Sequence, residues 1–290
     1  MRVLITGRNG QVGKALQALA PQVFEVIALD SNELDISNAR AVDTAITRYR
    51  PELIINAAAY TSVDKAETEQ ERVFAANSAG VANLARQQVP LLHISTDYVF
   101  PGDATTPYLE TDVTGPTGVY GASKLAGEQQ LVAINPRHII ARTAWVFAAH
   151  GNNFVKTMLR LGAAQETLHV VHDQQGCPTS AQSIAQMLWQ LAIAFKANGQ
   201  LAWGTYHFAG APACSWYEFA QTIFFEATKS GLLDKVPTLI PITTSEYATL
   251  AQRPAWSVLD CRKMHSTFGI KQPHWKHDLK EVMHTLISNS

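Results

Sequence analysis

Apolar positions along the chain fall into short unbroken runs separated by stretches with helical spacing. Residues 2–6 (RVLIT), 24–29 (FEVIAL), 53–56 (LIIN), 91–95 (LLHIS) and 138–142 (HIIAR) each read as a strand. Between them apolar residues recur every three or four positions. Val12, Leu16 and Leu19 predict a helix over 12–19, and further helices are predicted over 40–49, most of 67–88, and 120–132. Strands that alternate with helices of this length form parallel βαβ units. The strands lack apolar/polar alternation, as expected of a sheet covered on both faces. The prediction is an α/β fold built on a doubly wound parallel sheet.

After about Trp145 the rhythm changes. Helices predicted over 154–161, 180–194 and 216–230 are separated by loops rich in Pro, Gly and Thr, with short strands at 168–171 and 205–208 and an amphipathic helix near 278–287. This pattern predicts a smaller, irregular C-terminal lobe interleaved with the first domain.

Composition narrows the function classes. Of 290 residues, 47% are hydrophobic, so a substantial core is expected and disorder is not. Lys and Arg number 23 against 24 Asp and Glu, which argues against general nucleic-acid or anionic-membrane binding. Cys177, Cys214 and Cys261 are widely spaced with no CxxC, so neither a disulfide framework nor a zinc site is expected, and reduced, cytoplasmic thiols are. The ten histidines lack metal-ligand spacing; His93 and His207, both in predicted strands, read as core residues. Neither a signal peptide nor a membrane span is expected, since no apolar run reaches about 18 residues.

The segment TGRNGQVG places Gly7, Gly10 and Gly13 between the first strand and the first helix. Glycines there allow a sharp turn and let backbone N–H groups and a helix N-terminus approach a pyrophosphate. Asp30 ends the second strand, where an acidic residue binds the adenosine ribose. The pattern predicts a Rossmann-type dinucleotide-binding domain over 1–147 plus about 179–203, with the substrate lobe over about 148–178 plus 204–290. Asp30 favours NADH because it would repel a 2′-phosphate, whereas Arg8 could pair with that phosphate, so NADPH or NADH is left open.

The run YGASK sets Tyr120 and Lys124 four residues apart, on one helix face. A tyrosine of ordinary pKa near 10 exchanges protons poorly at neutral pH, and a nearby ammonium would lower that value. The spacing predicts Tyr120 as proton donor tuned by Lys124, with Lys124 also placed to hydrogen-bond the nicotinamide ribose and hold the cofactor beside the tyrosine. YxxxK also arises by chance, but the segment STD, containing Thr96, lies at the end of the fourth strand, where ligands of such sheets gather.

Together with NAAAYTSVDKAE (56–67), STDYVFPG (95–102), VYGASKLAGE (119–128), RTAWVF (142–147), GNNFVKTMLRL (151–161) and RPAWSVLD (253–260), these motifs resemble the extended short-chain dehydrogenase/reductases. Within that superfamily they resemble the dTDP-4-dehydrorhamnose reductases. The resemblance implies NAD(P)H-dependent reduction of the C4 keto group of dTDP-4-dehydro-L-rhamnose, with Tyr120, Lys124 and Thr96 catalytic. It implies that Gly10, Gln11 and Val12 contact the pyrophosphate. Asp35 and Ile36 would lie near the adenine, and Ala59, Tyr60 and Thr61 beside the nicotinamide end. Thr96, Asp97 and Trp145 match sugar-contacting positions, although Trp145 also reads as a core aromatic. Arg253 could grip a diphosphate or make an ordinary salt bridge. Some family members dimerise through magnesium held by glutamates; Ala15 and Gln182 stand at two such positions, so the magnesium site is not expected, and a homodimer is left to other contacts. Two other readings stay open: a non-catalytic NADP-binding regulatory subunit like that of methionine adenosyltransferase, and a reductase of another nucleotide-linked keto-sugar.

Overall fold

A computed structural model describes residues 1–288. Six strands form one parallel sheet: β1 (Arg2–Thr6), β2 (Glu25–Leu29), β3 (Leu53–Asn56), β4 (Leu91–Thr96), β5 (His138–Thr143) and β6 (Gly204–His207). Their order across the sheet is β6-β5-β4-β3-β1-β2. The chain moves outward from β1 to β2, then crosses back to β3, so the loops after β1 and β3 diverge and leave a crevice at their carboxyl ends.

Helices cover both faces, which is why the strands lack apolar/polar alternation. On one face Val3, Ile5, Leu53 and Ile139 pack against helices Gln11–Ala18 and Ala181–Asn198. The Trp189 indole N–H donates to the Leu16 carbonyl at 2.9 Å and fastens these two helices together. On the other face Leu4, Ile54, Leu91 and Ile140 meet Val42, Leu84 and Leu131. A separate core around Phe219, Phe224, Trp275 and Leu279 organises the C-terminal lobe.

Two expectations change. The segment 67–88 is not one helix: Gln70–Phe74 runs into a π-helical turn at Ala75–Ala79, and Gly80–Arg86 follows. The boundary at 204 also moves, because Gly204–His207 pairs with β5 and Met264, on helix Arg262–Phe268, joins the core of the large sheet. The lobe instead gains a strand, Thr238–Ile242, that pairs in parallel with Thr167–Val171. Among the described residues no helix is long and apolar enough to cross a membrane.

Candidate active site

The glycine loop is shaped by close backbone approach. Gly7 has φ +75°, and a Cβ there would lie 2.7 Å from the Ala57 carbonyl oxygen in the loop after β3. A Cβ on Gly13 would come within 2.1 Å of the Gly7 oxygen. Only glycine lets β1, its loop and the next helix close this tightly. Gly10 is the N-cap of helix Gln11–Ala18, and no side chain caps the helix, so its first N–H groups face the crevice. This cradle fits a pyrophosphate. Across it, Asn153 donates through Nδ2 to Gln11 Oε1 at 2.9 Å and through its Oδ1 caps helix Phe154–Ala164, drawing the 151–153 turn over the loop.

Arg8 and Asp30, rivals in the sequence, are partners in the structure. The Arg8 guanidinium lies 3.3 Å from Asp30 and 3.0 Å from Glu33. Desolvation works against ionised Asp30, but N–H donation from Asn32 and Glu33, the Arg8 charge and Asn9 together hold its carboxyl below the ordinary value. Asp35 closes its own turn by accepting from the Ser37 N–H and hydroxyl, while Ile36 is buried. Ala59, Tyr60 and Thr61 follow β3, and Tyr60 is clamped there by Asn77: its N–H donates to Asn77 Oδ1 at 2.8 Å, and Asn77 Nδ2 donates to its carbonyl at 3.0 Å. Asn77 Nδ2 also donates to the Ser123 hydroxyl at 3.0 Å, coupling that loop to the helix of Tyr120. Asn77 lies in the π-turn, which turns its amide inward; no sequence motif singled it out.

Tyr120 is the second residue of helix Val119–Ile134, whose Val119 N–H donates to Glu67 Oε1 at 2.9 Å. Its ring meets Tyr98 edge-on at 5.5 Å. Thr96, buried at the end of β4, lies against Tyr120 and donates to Asp97 Oδ1 at 2.8 Å. Burial pushes the Tyr120 hydroxyl up to about 12, with Thr96 pulling it down and Asp97 pushing it up. The expected lowering by Lys124 is absent. The lysine is buried against β4, where Nζ donates to the Ile94 carbonyl at 2.7 Å, and burial lowers its own pKa to about 8. Spacing placed the two side chains on one face but did not determine where the amine settles.

The remaining sequence candidates line the same end of the sheet. Trp145 follows β5 with φ +47° and stacks face to face on Trp216, ring centroids 3.4 Å apart and planes within 7°. Its indole rests on Gly176, where a Cβ would come within 2.3 Å. Trp145 is thus both wedged in place and partly exposed. Arg253 lies near Tyr98 and makes the ordinary salt bridge, to Asp64 at 3.0 Å. Ala15 and Gln182 bring no carboxylate, and the described residues contain no group of three or more metal-ligating side chains.

Asp97 makes a stability prediction. Burial raises its carboxyl from the usual 3.8 to about 6 against the hydrogen bond from Thr96 and the nearby Ser257 hydroxyl, and its Oδ2 has no hydrogen-bond partner among the described residues. A folded-state value above the unfolded one means stability is fully present below the unfolded pKa and lost as pH rises through about 6. That rise corresponds to about 3 kcal/mol. Asp97→Asn should therefore melt higher than the parent at neutral pH, with the gap closing near about pH 4. A gap that stays constant with pH would show that Asp97 is not the strained carboxylate.

A dinucleotide cradle and a tyrosine brought to one edge of a parallel sheet define the class, an NAD(P)-dependent oxidoreductase of the extended short-chain type. Comparison with known proteins takes this further. The family profile described as RmlD substrate binding domain matches residues 1–288. The dTDP-4-dehydrorhamnose reductase of Aggregatibacter actinomycetemcomitans is 47% identical over 287 residues, covering 97% of this chain and 98% of that protein. The crystal structure of the dTDP-4-dehydrorhamnose reductase of Clostridium acetobutylicum superposes with TM-score 0.91 at 39% identity, covering 99% and 100% of the two chains. That of Bacillus anthracis, in complex with NADP, gives 0.90 at 37% identity and covers 98% and 99%. The chain belongs to the RmlD family of dTDP-4-dehydrorhamnose reductases.

Proposed function

We propose that this protein reduces the C4 keto group of dTDP-4-dehydro-L-rhamnose to a hydroxyl, yielding dTDP-L-rhamnose. What supports this reading is that Tyr120 meets Thr96 at the carboxyl end of β4, in the same parallel sheet whose β1 leads into the glycine loop. Bound NADPH or NADH supplies the hydride. Tyr120, whose phenol is intact at neutral pH, gives its proton to the C4 oxygen as negative charge develops there. Thr96 orients that phenol. Lys124 lies one helical turn away and serves to return a proton to the phenolate.

In this reading Gly7, Gly10, Gln11, Val12 and Gly13 hold the pyrophosphate, Asp30, Asp35 and Ile36 the adenosine end, and Ala59, Tyr60 and Thr61 the nicotinamide end. Asp97 and Trp145 take the sugar, and Arg253 takes the diphosphate once released from Asp64. The smaller lobe, about 148–178 with the C-terminal segments outside β6 and its helix, closes over the nucleotide sugar. The reading also places the enzyme in the cytoplasm.

The test is a panel of dTDP-, UDP- and GDP-linked 4-keto sugars with loss of NADPH or NADH absorbance as readout. Turnover in the dTDP series is expected. Turnover confined to other nucleotides overturns the substrate, and dinucleotide binding without turnover of any keto-sugar overturns the reaction in favour of a binding role.

A further inference from the structure

Gln11 opens the helix that follows the glycine loop, and Asn153 faces it from the start of helix Phe154–Ala164. The two side-chain amides meet at 2.9 Å. Backbone groups decide which end of each amide faces the other. The Lys156 N–H, which can only donate, bonds Asn153 Oδ1 at 3.1 Å and is thereby capped. The Ala148 and His150 carbonyls, which can only accept, face Asn153 Nδ2 at 2.8 and 3.3 Å. Reversing the Asn153 amide would set donor against donor once and acceptor against acceptor twice. Its Nδ2 must therefore donate to Gln11, and Gln11 must turn Oε1 toward it.

The far side of the Gln11 amide is then Nε2, whose two N–H groups bond no other described residue. They stand on the first residue of a helix whose opening N–H groups no side chain caps, beside the cradle of Gly7, Gly10 and Gly13. Turned the other way, the amide would bring a carbonyl oxygen to the same place and repel an anion. Gly151 holds the aliphatic part of the side chain. It has φ +71°, and a Cβ there would lie 3.1 Å from Gln11 Cγ, so the 151–153 turn meets Gln11 at two points.

We infer that Asn153 is a positioning residue for the dinucleotide: it fixes the Gln11 amide so that its N–H groups are presented to a pyrophosphate oxygen. This rests on the reading of the glycine loop as the pyrophosphate cradle. Capping and orienting are separable, because the oxygen of Asn153 caps its helix and the nitrogen orients Gln11. Val155 and Met158, just beyond it, pack in the core of the smaller lobe. The lobe that takes the sugar thus sets the polarity of a side chain in the cofactor loop.

Asn153→Asp tests this. The new carboxylate still accepts from the Lys156 N–H and suits a helix N-terminus, but it has no donor for Gln11. The Gln11 amide then turns Nε2 toward that carboxylate and Oε1 toward the pyrophosphate. The Kd for NADPH, from fluorescence titration, should rise about 10- to 100-fold, the weight of one hydrogen bond to a charged group. KM for NADPH should rise with it, while kcat at saturating NADPH holds. In a Gln11→Ala background there is no amide to turn, and the same substitution should cost only a few-fold. A loss of full size in that background comes from the added charge and overturns the inference, as does an unchanged Kd in folded Asn153→Asp. The wild type gives a check that no variant's folding can spoil. On saturation with NADP+, the side-chain NH2 signals of Gln11 in nitrogen-15 NMR should shift while those of Asn153 stay in place, and unmoved Gln11 signals overturn the inference. A wild type that binds no dinucleotide sinks the cradle itself. Binding that responds to these variants without any keto-sugar turnover supports the inference and sinks the reductase reading instead.

Discussion

Replacing Tyr120 by phenylalanine should lower kcat for keto-sugar reduction by a factor of about 10² to 10⁴, the usual contribution of a positioned proton donor. The change is confined to one oxygen. The ring keeps its edge contact with Tyr98 at 5.5 Å, and the Thr96 bond to Asp97 does not involve Tyr120. The glycine cradle is built from other elements, so NADPH affinity, measured by fluorescence titration, should hardly change. In the wild type the alkaline decline of activity should follow Lys124, near about 8, because Tyr120 at about 12 is still protonated there. An undiminished kcat in Tyr120→Phe would move the proton donor elsewhere. Asp97, one residue past the end of β4 with its carboxyl raised to about 6, would be the next candidate.

What the sequence revealed and what it hid divide along range of interaction. Apolar runs of four to six residues marked β1 to β5 because both sheet faces are covered and neither calls for a polar residue at alternate positions. The glycine loop was legible because a strand, a turn and a helix N-terminus are contiguous in the chain. The π-turn at Ala75–Ala79 was not, since no proline interrupts that segment; Asn77 reaches Tyr60 and Ser123 only in the folded state. Arg8 and Asp30 looked like competing signals for the cofactor because nothing local shows that β1 and β2 pair and bring them together. β6 was legible as a short strand at 205–208, but nothing local shows that it pairs with β5 in the large sheet, where Met264, more than fifty residues later, packs. Lys124 is the sharpest case. Helical spacing gave its face correctly, but the Ile94 carbonyl and His93, thirty residues earlier in the chain, decide where its amine rests.

The largest stability effect should come from Glu128→Gln. Glu128 and Arg142 are a buried ion pair, with side chains 4% and 7% exposed, and the closest contact is 2.7 Å. The glutamine would keep the shape and lose the charge, leaving the Arg142 guanidinium buried without a counterion. Breaking such a pair from one side costs about 3–5 kcal/mol, which for a protein of this size lowers Tm by about 10 °C. The Arg142 guanidinium also lies 5.0 Å over the Phe100 ring, a contact too weak to replace a carboxylate. Calorimetry of the single variant and of Glu128→Leu combined with Arg142→Leu separates charge from packing: the double variant should recover most of the loss, because no charge is then stranded. A single-variant loss below about 1 kcal/mol would mean that Arg142 has another counterion. The pair joins helix Val119–Ile134 to β5, so it holds the helix that carries both Tyr120 and Lys124 against the sheet. Where the helix survives in Glu128→Gln, Lys124 has also lost the only charge that raises its pKa, and the alkaline limb of activity should move down as the melting point does.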